Sequence, residues 1–450
     1  MPRRVSRREF IGSTVATTML ADRVVRGAAP RRPNVLFILA DDLGYGDLSC
    51  YGRPDYRTPV LDSLARQGVK FTSNYAAAPV CTPTRCAYIT GRYPQRLPVG
   101  LAEPLTASSP RDLGLPPDHP TVASLLKANG YETSLIGKWH LGWKPEFGPN
   151  RHGFDEFFGV LSGAVDYFTH RAADAPGPET AAGGNTDLWQ NLTPIDRVGY
   201  LTDLLSDQAV EFVSRPHAKP FFLSLQYTAP HSPWEGPEDE AIGHTTHGTG
   251  PMTNGGSLTI FAAMMKRMDA GIGRVLKALD RANLARQTLV IFTSDNGGER
   301  YSFNWPFSFE KGDLHEGGLR VPAIVRWPGV IPAGRVTEQA AITMDWTATI
   351  LDATGTPADP ALPLDGVSLL PVCTGERPPH DRTLFWRVTG LSAARVGSWK
   401  YLENRTGPHL FDLANDPGEK SDLRAAEADR LDAIRKQYQT WVAQMLPLPT

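Results

Sequence analysis

The sequence predicts an α/β fold: helices sandwich a large mixed, mostly parallel sheet, and a small C-terminal antiparallel sheet plus a helix follows. From residue 33 onward, short apolar runs alternate with segments of helical periodicity, the order that produces parallel strands. From about residue 381, short alternating segments are separated by turns, which favours antiparallel pairing. With 450 residues, 41% of them hydrophobic, the chain can bury a large core. We expect a main domain over residues 31–380 and a smaller one over 381–450.

The elements of the main domain follow from apolar runs and from helical periodicity with its stop signals. A continuous apolar run predicts a buried strand over residues 35–40, and further strands are expected over residues 69–75, 131–136, 221–227 and 289–293. Helices are expected over residues 58–67, from residue 81, and over 121–129, 203–213 and 258–284. Gly68 and Gly130 each follow the last periodic residue of a helix, a position where glycine commonly ends one.

The smaller domain is predicted to contain four short strands and one closing helix. The strands are expected over residues 383–388, 392–396, 399–402 and 409–413. The helix carries apolar side chains at alternating spacings of three and four, which is typical of a packed stripe. These are Leu431, Ile434, Tyr438, Trp441 and Met445. We interpret the stripe as core packing and not as a ligand site.

The N-terminus looks like a twin-arginine export signal over residues 1–30. Arg3 and Arg4 precede Ser-Arg-Arg-Glu-Phe-Ile, a mildly apolar run and small residues at 27–29. The run is too short to span a bilayer, which takes about 20 apolar residues, so stable membrane insertion is not expected. A solvated basic tail is the alternative. The export interpretation predicts a periplasmic or secreted protein.

The charge balance restricts the partners. The formal net charge is −2, and no long basic stretch follows the N-terminus. General binding of nucleic acid or of an anionic membrane surface is therefore not expected. Any site for an anion must be local.

Polar side chains follow closely on several predicted strands. Asp41 and Asp42 come directly after the first strand, and His140, His231 and Asp295 come after three others. In open α/β sheets, ligand sites lie at the carboxyl ends of strands, so one cleft should hold all of these groups.

Oxygen-bearing side chains at two of these strand ends indicate a cation. The adjacent carboxylates of Asp41 and Asp42 repel each other and need a cation unless they face solvent, and a solvated turn remains the alternative. Asp295 and Asn296 add a carboxylate and an amide oxygen. Such hard oxygen ligands suit calcium or magnesium.

One further motif runs from residue 81 to residue 91, Cys-Thr-Pro-Thr-Arg-Cys-Ala-Tyr-Ile-Thr-Gly. Cys81 lies at the expected start of a helix, where an anion is favoured, and Arg85 lies one turn further along. An isolated Cys-x-Pro-x-Arg would more often be a buried cysteine beside a surface arginine. Here the longer pattern Cys-x-Pro-x-Arg-x-x-x-x-Thr-Gly is complete.

This pattern resembles the signature of type I sulfatases. The hexapeptide Gly-Lys-Trp-His-Leu-Gly at residues 137–142 is similar to a second motif of that family. The loop around Lys311 resembles its lysine-bearing loop, residues 151–170 resemble its arylsulfatase B branch, and residues 411–423 resemble its C-terminal subdomain. The resemblance covers nearly the whole mature chain and implies an alkaline-phosphatase-like fold.

The resemblance also implies an activity, a nucleophile and a set of cation ligands. The expected reaction is that of a sulfuric ester hydrolase, in which Cys81, oxidised to formylglycine by a formylglycine-generating enzyme, supplies the nucleophile. Conversion of Cys81 would leave an odd three of the four cysteines, so no disulfide framework is expected. The implied ligands of one cation, calcium or possibly magnesium, are Asp41, Asp42, Asp295, Asn296 and the modified Cys81.

Further roles are implied for the basic residues. Arg85, Lys138 and Lys311 would hold the sulfate group and offset the carboxylates. His231 with Lys311 would protonate the leaving oxygen, and His140 would act as the base that releases sulfate.

Two rival functions and the substrate stay open at this point. A phosphodiesterase or phosphonate monoester hydrolase of the same superfamily is one alternative, and a non-catalytic carbohydrate-binding relative is the other. Aryl sulfates are the expected substrates in vitro and sulfated carbohydrates the natural ones. Trp143, Trp234 and Trp305 lie near the motif loops and would either stack on sugar rings or pack within the loops. Residues 172–184 are interpreted as a mobile surface insertion and 242–256 as a binding loop or lid.

Overall fold

A computed structural model of the chain describes residues 32–172, 186–240 and 255–449. The predicted export signal lies outside these residues, as do nearly all of the predicted surface insertion and of the predicted binding loop or lid. No helix within the described residues is long and apolar enough to cross a membrane.

Sixteen strands are found in the described part of the chain, and they form three sheets. In chain order they are β1 (Asn34–Ala40), β2 (Val69–Phe71), β3 (Asn74–Tyr75), β4 (Glu132–Lys138), β5 (Glu156–Val160), β6 (Leu188–Gln190), β7 (Thr193–Pro194), β8 (Phe221–Gln226), β9 (Thr288–Ser294), β10 (Ala323–Arg326), β11 (Arg335–Thr337), β12 (Ala341–Ile342), β13 (Thr383–Val388), β14 (Leu391–Val396), β15 (Trp399–Asn404) and β16 (Gly407–Asp412).

The main sheet has ten strands in the order β11-β2-β10-β9-β1-β8-β4-β5-β6-β7. The five central strands from β9 to β5 are parallel, whereas β10, β6 and β7 pair antiparallel with their neighbours. All seven residues of β1 are buried, as expected for a central strand covered on both faces. This arrangement confirms the predicted mixed, mostly parallel sheet.

The helices lie on both faces of this sheet because successive side chains of each strand point to opposite sides. In chain order they are α1 (Pro59–Arg66), α2 (Cys81–Thr90), α3 (Val122–Ala128), α4 (Leu201–Ser214), α5 (Leu258–Arg281), α6 (Glu316–Leu319), α7 (Thr343–Thr354), α8 (Leu370–Thr374) and α9 (Ala428–Val442). Leu36 and Ile38 of β1 share one core with α1, α4 and α5. Val35 and Phe37 share the other core with α2, α3 and α7.

The C-terminal residues form the predicted small antiparallel sheet, in the order β13-β14-β15-β16, with α9 packed against it. Ile434, Tyr438 and Trp441 of α9 are buried in this third core, as the apolar stripe predicts. Trp386 of β13 donates from its indole Nε1 to the Ala76 carbonyl at 2.8 Å, which ties the sheet to the segment that precedes α2.

Some predicted elements differ from the observed ones. The strand predicted over residues 69–75 is two short strands, because β2 pairs in the main sheet while β3 pairs with β12 in a separate two-stranded sheet. The helix predicted to reach residue 284 ends at Arg281. Strand β5 lies within residues 151–170, where no strand was predicted. Apolar pattern alone does not reveal which partner strand a short segment joins.

A buried ionic cluster joins the small sheet to α6. Lys400 of β15 lies 2.9 Å from the Glu316 carboxylate and 2.8 Å from that of Glu419, and all three side chains are fully buried. Tyr75 donates its hydroxyl to the second oxygen of Glu316 at 2.6 Å. Lys400 is therefore shared by two carboxylates that have no access to water, and Glu316 also pairs with Arg320 at 3.2 Å.

We predict that Lys400→Ala lowers the free energy of unfolding by about 3–5 kcal/mol, because two buried carboxylates lose the cation that they share. Chemical or thermal unfolding of the purified variants measures this loss. Lys127→Ala is the control, since its 2.8 Å pair with Asp155 is solvent-exposed and exposed pairs contribute at most about 1 kcal/mol. Equal losses in the two variants would contradict the assignment.

Candidate active site

Four neighbouring parallel strands bring polar residues to one edge of the main sheet. Asp41 and Asp42 follow β1, Lys138 is the last residue of β4, and Asp295 follows β9 directly. Lys138 was expected just beyond its strand and instead lies within it. Since the carboxyl ends of parallel strands lie at the same edge, residues far apart in the sequence become neighbours here.

Cys81 lies inside this group. It is the first residue of α2, after the extended residue Val80, and its side chain is buried. Ligand atoms of Asp41, Asp42, Cys81 and His231 all lie within 4.8 Å of one another. All four cysteines of the chain are free thiols, in agreement with the expectation of no disulfide framework.

The unmodified Cys81 thiol is unreactive where it lies. Burial raises its pKa to about 12, although Lys138 and Lys311 oppose that shift. The thiolate is the nucleophilic form of cysteine, so an unmodified Cys81 is protonated and a poor nucleophile at neutral pH.

Each of three buried carboxylates pairs with one basic side chain. Lys138 donates from Nζ to Asp41 Oδ2 at 2.6 Å. Lys311 donates from Nζ to Asp42 Oδ2 at 2.7 Å. Arg85 donates from Nε to Asp295 Oδ2 at 3.0 Å. The three pairs leave this part of the site close to neutral.

Two buried oxygens in the site have no protein donor. Asp41 Oδ1 and Asn296 Oδ1 have no hydrogen-bond partner among the residues that the structure describes. The Asn296 amide donates from Nδ2 to Asp42 Oδ1 at 2.7 Å and to the Gly297 carbonyl at 2.9 Å, which leaves its oxygen as a free acceptor. Buried acceptors are normally satisfied, and hard oxygens of this kind fit a calcium or magnesium ion.

Asp295 is placed differently from the other predicted cation ligands. It is not part of the cluster in which all ligand atoms lie within 4.8 Å. Its Oδ1 accepts from the Asp42 backbone N–H at 3.2 Å, and Arg85 occupies Oδ2. Burial raises the pKa of Asp295 to about 7, with Asp41 adding to the shift and Arg85 opposing it. His231, expected to act as an acid, occurs in that cluster instead.

The imidazole of His231 is neutral and contacts Lys311. Its Nδ1 donates to the Ser232 carbonyl, and its Nε2 lies 3.2 Å from Lys311 Nζ. Burial lowers the pKa of His231 to about 3; Asp42 opposes the shift, and Lys311 and Lys138 add to it. Since a carbonyl only accepts, Nδ1 carries the hydrogen, and Nε2 accepts from the ammonium. The transferable proton of this pair is therefore on Lys311.

His140 presents a free basic nitrogen. Its Nε2 donates to the Leu105 carbonyl at 2.9 Å, and its buried Nδ1 has no partner among the described residues. Burial, with Lys138 adding to it, lowers the pKa of His140 well below the usual value. A neutral imidazole with one unoccupied nitrogen is able to accept a proton.

Two residues of the site were not among those predicted. Gln226, the last residue of β8, accepts from Arg85 Nη1 at 2.8 Å. Glu299 lies 3.7 Å from Lys311 Nζ. Both lie near the carboxyl ends of strands, where ligand sites of open α/β sheets are expected. Gln226 ends a buried strand, and Glu299 comes just after the turn that holds Asp295.

The three tryptophans near the motif loops have different surroundings. Trp234 is buried against Tyr301, so it belongs to loop packing and not to a sugar-stacking surface. Trp143 is half-buried, with its ring 6.1 Å from that of His140. Trp305 is 65% exposed and stacks on Phe303.

Comparison with known proteins supports one family over the whole described chain. The family profile described as Sulfatase matches residues 33–356, and the profile described as N-sulphoglucosamine sulphohydrolase, C-terminal matches residues 304–445. The chain is 35% identical to the steryl-sulfatase of Mus musculus, over 98% of this chain and 87% of that protein. It is 33% identical to the N-acetylgalactosamine-6-sulfatase of Sus scrofa, over 91% of this chain and 85% of that protein.

A solved structure shows the same fold. The crystal structure of Ps i-CgsB in complex with k-i-k-neocarrahexaose superposes with a TM-score of 0.81 at 32% identity, covering 91% of this chain and 93% of that one. This likeness confirms the predicted alkaline-phosphatase-like fold class. With the family profile covering most of the described residues, the chain belongs to the sulfatase family and is a sulfuric ester hydrolase.

Proposed function

We propose that this sulfatase hydrolyses sulfate half-esters of carbohydrates, with a formylglycine made from Cys81 and one divalent cation, most simply calcium. The observation that carries the proposal is the position of Cys81: a buried, protonated thiol at a helix start, clustered with the Asp41 and Asp42 carboxylates. A thiol in that state is a poor nucleophile, whereas the motif around it is the one that the family's maturation enzyme modifies.

The donor set fits a cation. Asp41, Asp42 and Asn296 would hold it, with Asp295 and the modified residue 81 completing the ligands. When bound, the ion supplies positive charge that polarises a sulfate oxygen and offsets the carboxylates. The free oxygens of Asp41 and Asn296 support this assignment because no described protein group satisfies them.

The residues around the site have distinct tasks. A hydrated formylglycine supplies one hydroxyl that attacks sulfur and a second whose deprotonation releases sulfate. Lys311 carries the proton for the leaving oxygen, and His231 Nε2 holds the ammonium at 3.2 Å. His140 accepts the proton of the second hydroxyl through Nδ1, its free nitrogen.

Arg85 has a positioning task in this proposal. Its guanidinium contacts the Asp295 carboxylate, the Gln226 amide and the Lys138 carbonyl. Those contacts hold Asp295 and the backbone of Lys138 in place, so Arg85 acts on the substrate mainly through the ligands that it orients. Lys138 and Lys311 are then the cations that balance the sulfate directly.

A carbohydrate substrate is supported by three observations. One relative is an N-acetylgalactosamine-6-sulfatase, and one structural neighbour was solved with a neocarrahexaose. Trp305 offers an exposed indole on the loop that leads to Lys311, and an indole face packs well on a sugar ring. Paired assays of aryl sulfate and aryl phosphate esters test the proposal against the phosphodiesterase alternative.

We predict that protein produced beside a formylglycine-generating enzyme carries an aldehyde at position 81. Mass analysis of the peptide that contains Cys81 and Cys86 should show one converted thiol, assigned to Cys81 by fragment ions. Cys81→Ala should abolish activity, while Cys86→Ala should retain most of it. Full-rate hydrolysis by protein with an intact Cys81 thiol would contradict this mechanism.

Calcium should raise the thermal midpoint of the wild type and not that of Asp42→Ala, because a ligand that binds only the folded state stabilises it. The variant should also lose nearly all activity. Asp352→Ala, at an exposed carboxylate far along the chain, is the matched control and should respond like the wild type. The site assignment fails if calcium stabilises Asp42→Ala as much as the wild type.

Lys311→Ala should slow hydrolysis of a sulfated sugar far more than that of 4-nitrophenyl sulfate. General acid catalysis contributes about 10²–10⁴-fold in rate, and nitrophenolate leaves without a proton. His231→Ala should show the same leaving-group dependence, since the two side chains act as a pair. Comparison of kcat for the two substrates measures the effect, and an equal loss on both would count against an acid role.

A further inference from the structure

A second pocket lies away from the candidate active site, where the end of α1 meets the end of β10. Its volume is about 560 Å³, within the range of about 300–1,000 Å³ that small-molecule sites occupy. It is lined by Arg66, Gln67, Arg326 and residues 328–333. Arg66 and Arg326 are thus the charged residues that line the pocket, and no carboxylate lines it.

Arg326 is buried without an anionic partner. Its residue exposure is 9%, and its Nε has no hydrogen-bond partner within the described ranges. Asp280 is exposed and lies beyond ion-pair distance. A buried guanidinium Nε without an acceptor is costly to the folded state. Burial lowers the pKa of Arg326 accordingly, with Asp280 opposing the shift.

The two other buried arginines in the described residues do have carboxylate partners. Ion pairs at 4.0 Å or less join Arg53 to Asp47 and Arg85 to Asp295. Arg326 departs from that pattern, although its side chain faces a cavity large enough for a ligand. The contrast shows that no carboxylate of the described residues serves as its counter-ion.

Local backbone geometry places further positive charge beside it. A Cβ at Gly68 would lie 2.0 Å from the Val325 carbonyl oxygen, so glycine lets the end of α1, with Arg66, approach β10 closely. Gly329 has a φ of +86°, and a Cβ there would lie 2.9 Å from the Arg286 guanidinium. Neither Arg66 nor Arg286 has an ion-pair or side-chain hydrogen-bond partner in the part of the chain that the structure describes.

The pocket is separate from the sulfatase site. Strand β10 runs antiparallel to β9, and Arg326 pairs with Val290 near the start of β9. Asp295 follows five residues later, which corresponds to roughly 17 Å at about 3.3 Å per residue. A ligand in the pocket therefore does not reach the groups around Cys81.

We propose that this pocket is a second oxyanion site, which takes a sulfate or phosphate group, free or as the half-ester of a small ligand. The planar fork of Arg326 donates two parallel hydrogen bonds to such a group, and Arg66 supplies the second charge. The apolar side chains of Val330, Ile331 and Pro332 contact the organic part of the ligand. The inference stands on this geometry and does not depend on the chemistry proposed for Cys81.

The test is the thermal midpoint of the wild type and of Arg326→Met in sodium chloride, sulfate, phosphate or acetate at equal ionic strength. In chloride, the variant should melt about 2 °C above the wild type, because an apolar side chain of similar length replaces an unpaired buried charge. Sulfate or phosphate should raise the thermal midpoint of the wild type more than that of the variant. The active site is intact in both proteins, so this difference reports on the pocket alone. The larger of the two responses identifies the preferred oxyanion.

A second variant and an activity control complete the test of this pocket. Arg66→Met changes an exposed residue, so it should fold normally and lose part of the sulfate- or phosphate-dependent rise. Both variants should keep kcat/KM for 4-nitrophenyl sulfate within about twofold of the wild type, which an active-site residue would not. The proposal is overturned if sulfate and phosphate raise the thermal midpoints of both proteins equally, or if only acetate raises that of the wild type. It is also overturned if Arg326→Met is less stable than the wild type in chloride.

Discussion

Three buried carboxylates paired with three basic side chains form the interaction on which the candidate active site depends. Asp41, Asp42 and Asp295 would repel one another strongly in a site without water, and each instead has a basic side chain within 3.0 Å. The balance leaves the protein groups near neutral, so an added divalent ion makes the site positive. A positive, enclosed site suits a sulfate ester, whose reacting group is an anion.

The pairing also explains why so much of the chain is needed to make one small site. The three pairs join residues separated by 97, 269 and 210 positions in the sequence. Asp41 and Lys138 meet because β1 and β4 lie in one parallel sheet with β8 between them, whereas Arg85 reaches the site from α2 and Lys311 from the loop after β9. The rigid central strands therefore fix the three carboxylates to a precision that loops alone would not provide.

The small C-terminal sheet supports the loop that carries Lys311. Glu419 accepts from the Glu316 backbone N–H at 2.6 Å, and Ser308 donates to the Gly418 carbonyl. Lys400 pairs with both Glu316 and Glu419 from within the sheet. The segments on either side of Lys311 are thus held by residues more than 80 positions away. The C-terminal part contributes to the site by positioning and supplies no reacting group.

The sequence by itself determined the fold class and the set of candidate site residues. Apolar segments predicted the buried strands. Asp41, His140 and Asp295 were then selected because they follow such strands closely in the sequence. The motif around Cys81 then assigned the family. Tertiary structure alone decided which groups face each other: that Arg85 contacts Asp295 and Gln226, that His231 contacts Lys311, and that Trp234 is buried. Strand periodicity specifies where a side chain leaves the backbone, but its partner depends on sheet order and rotamer, which local sequence does not encode.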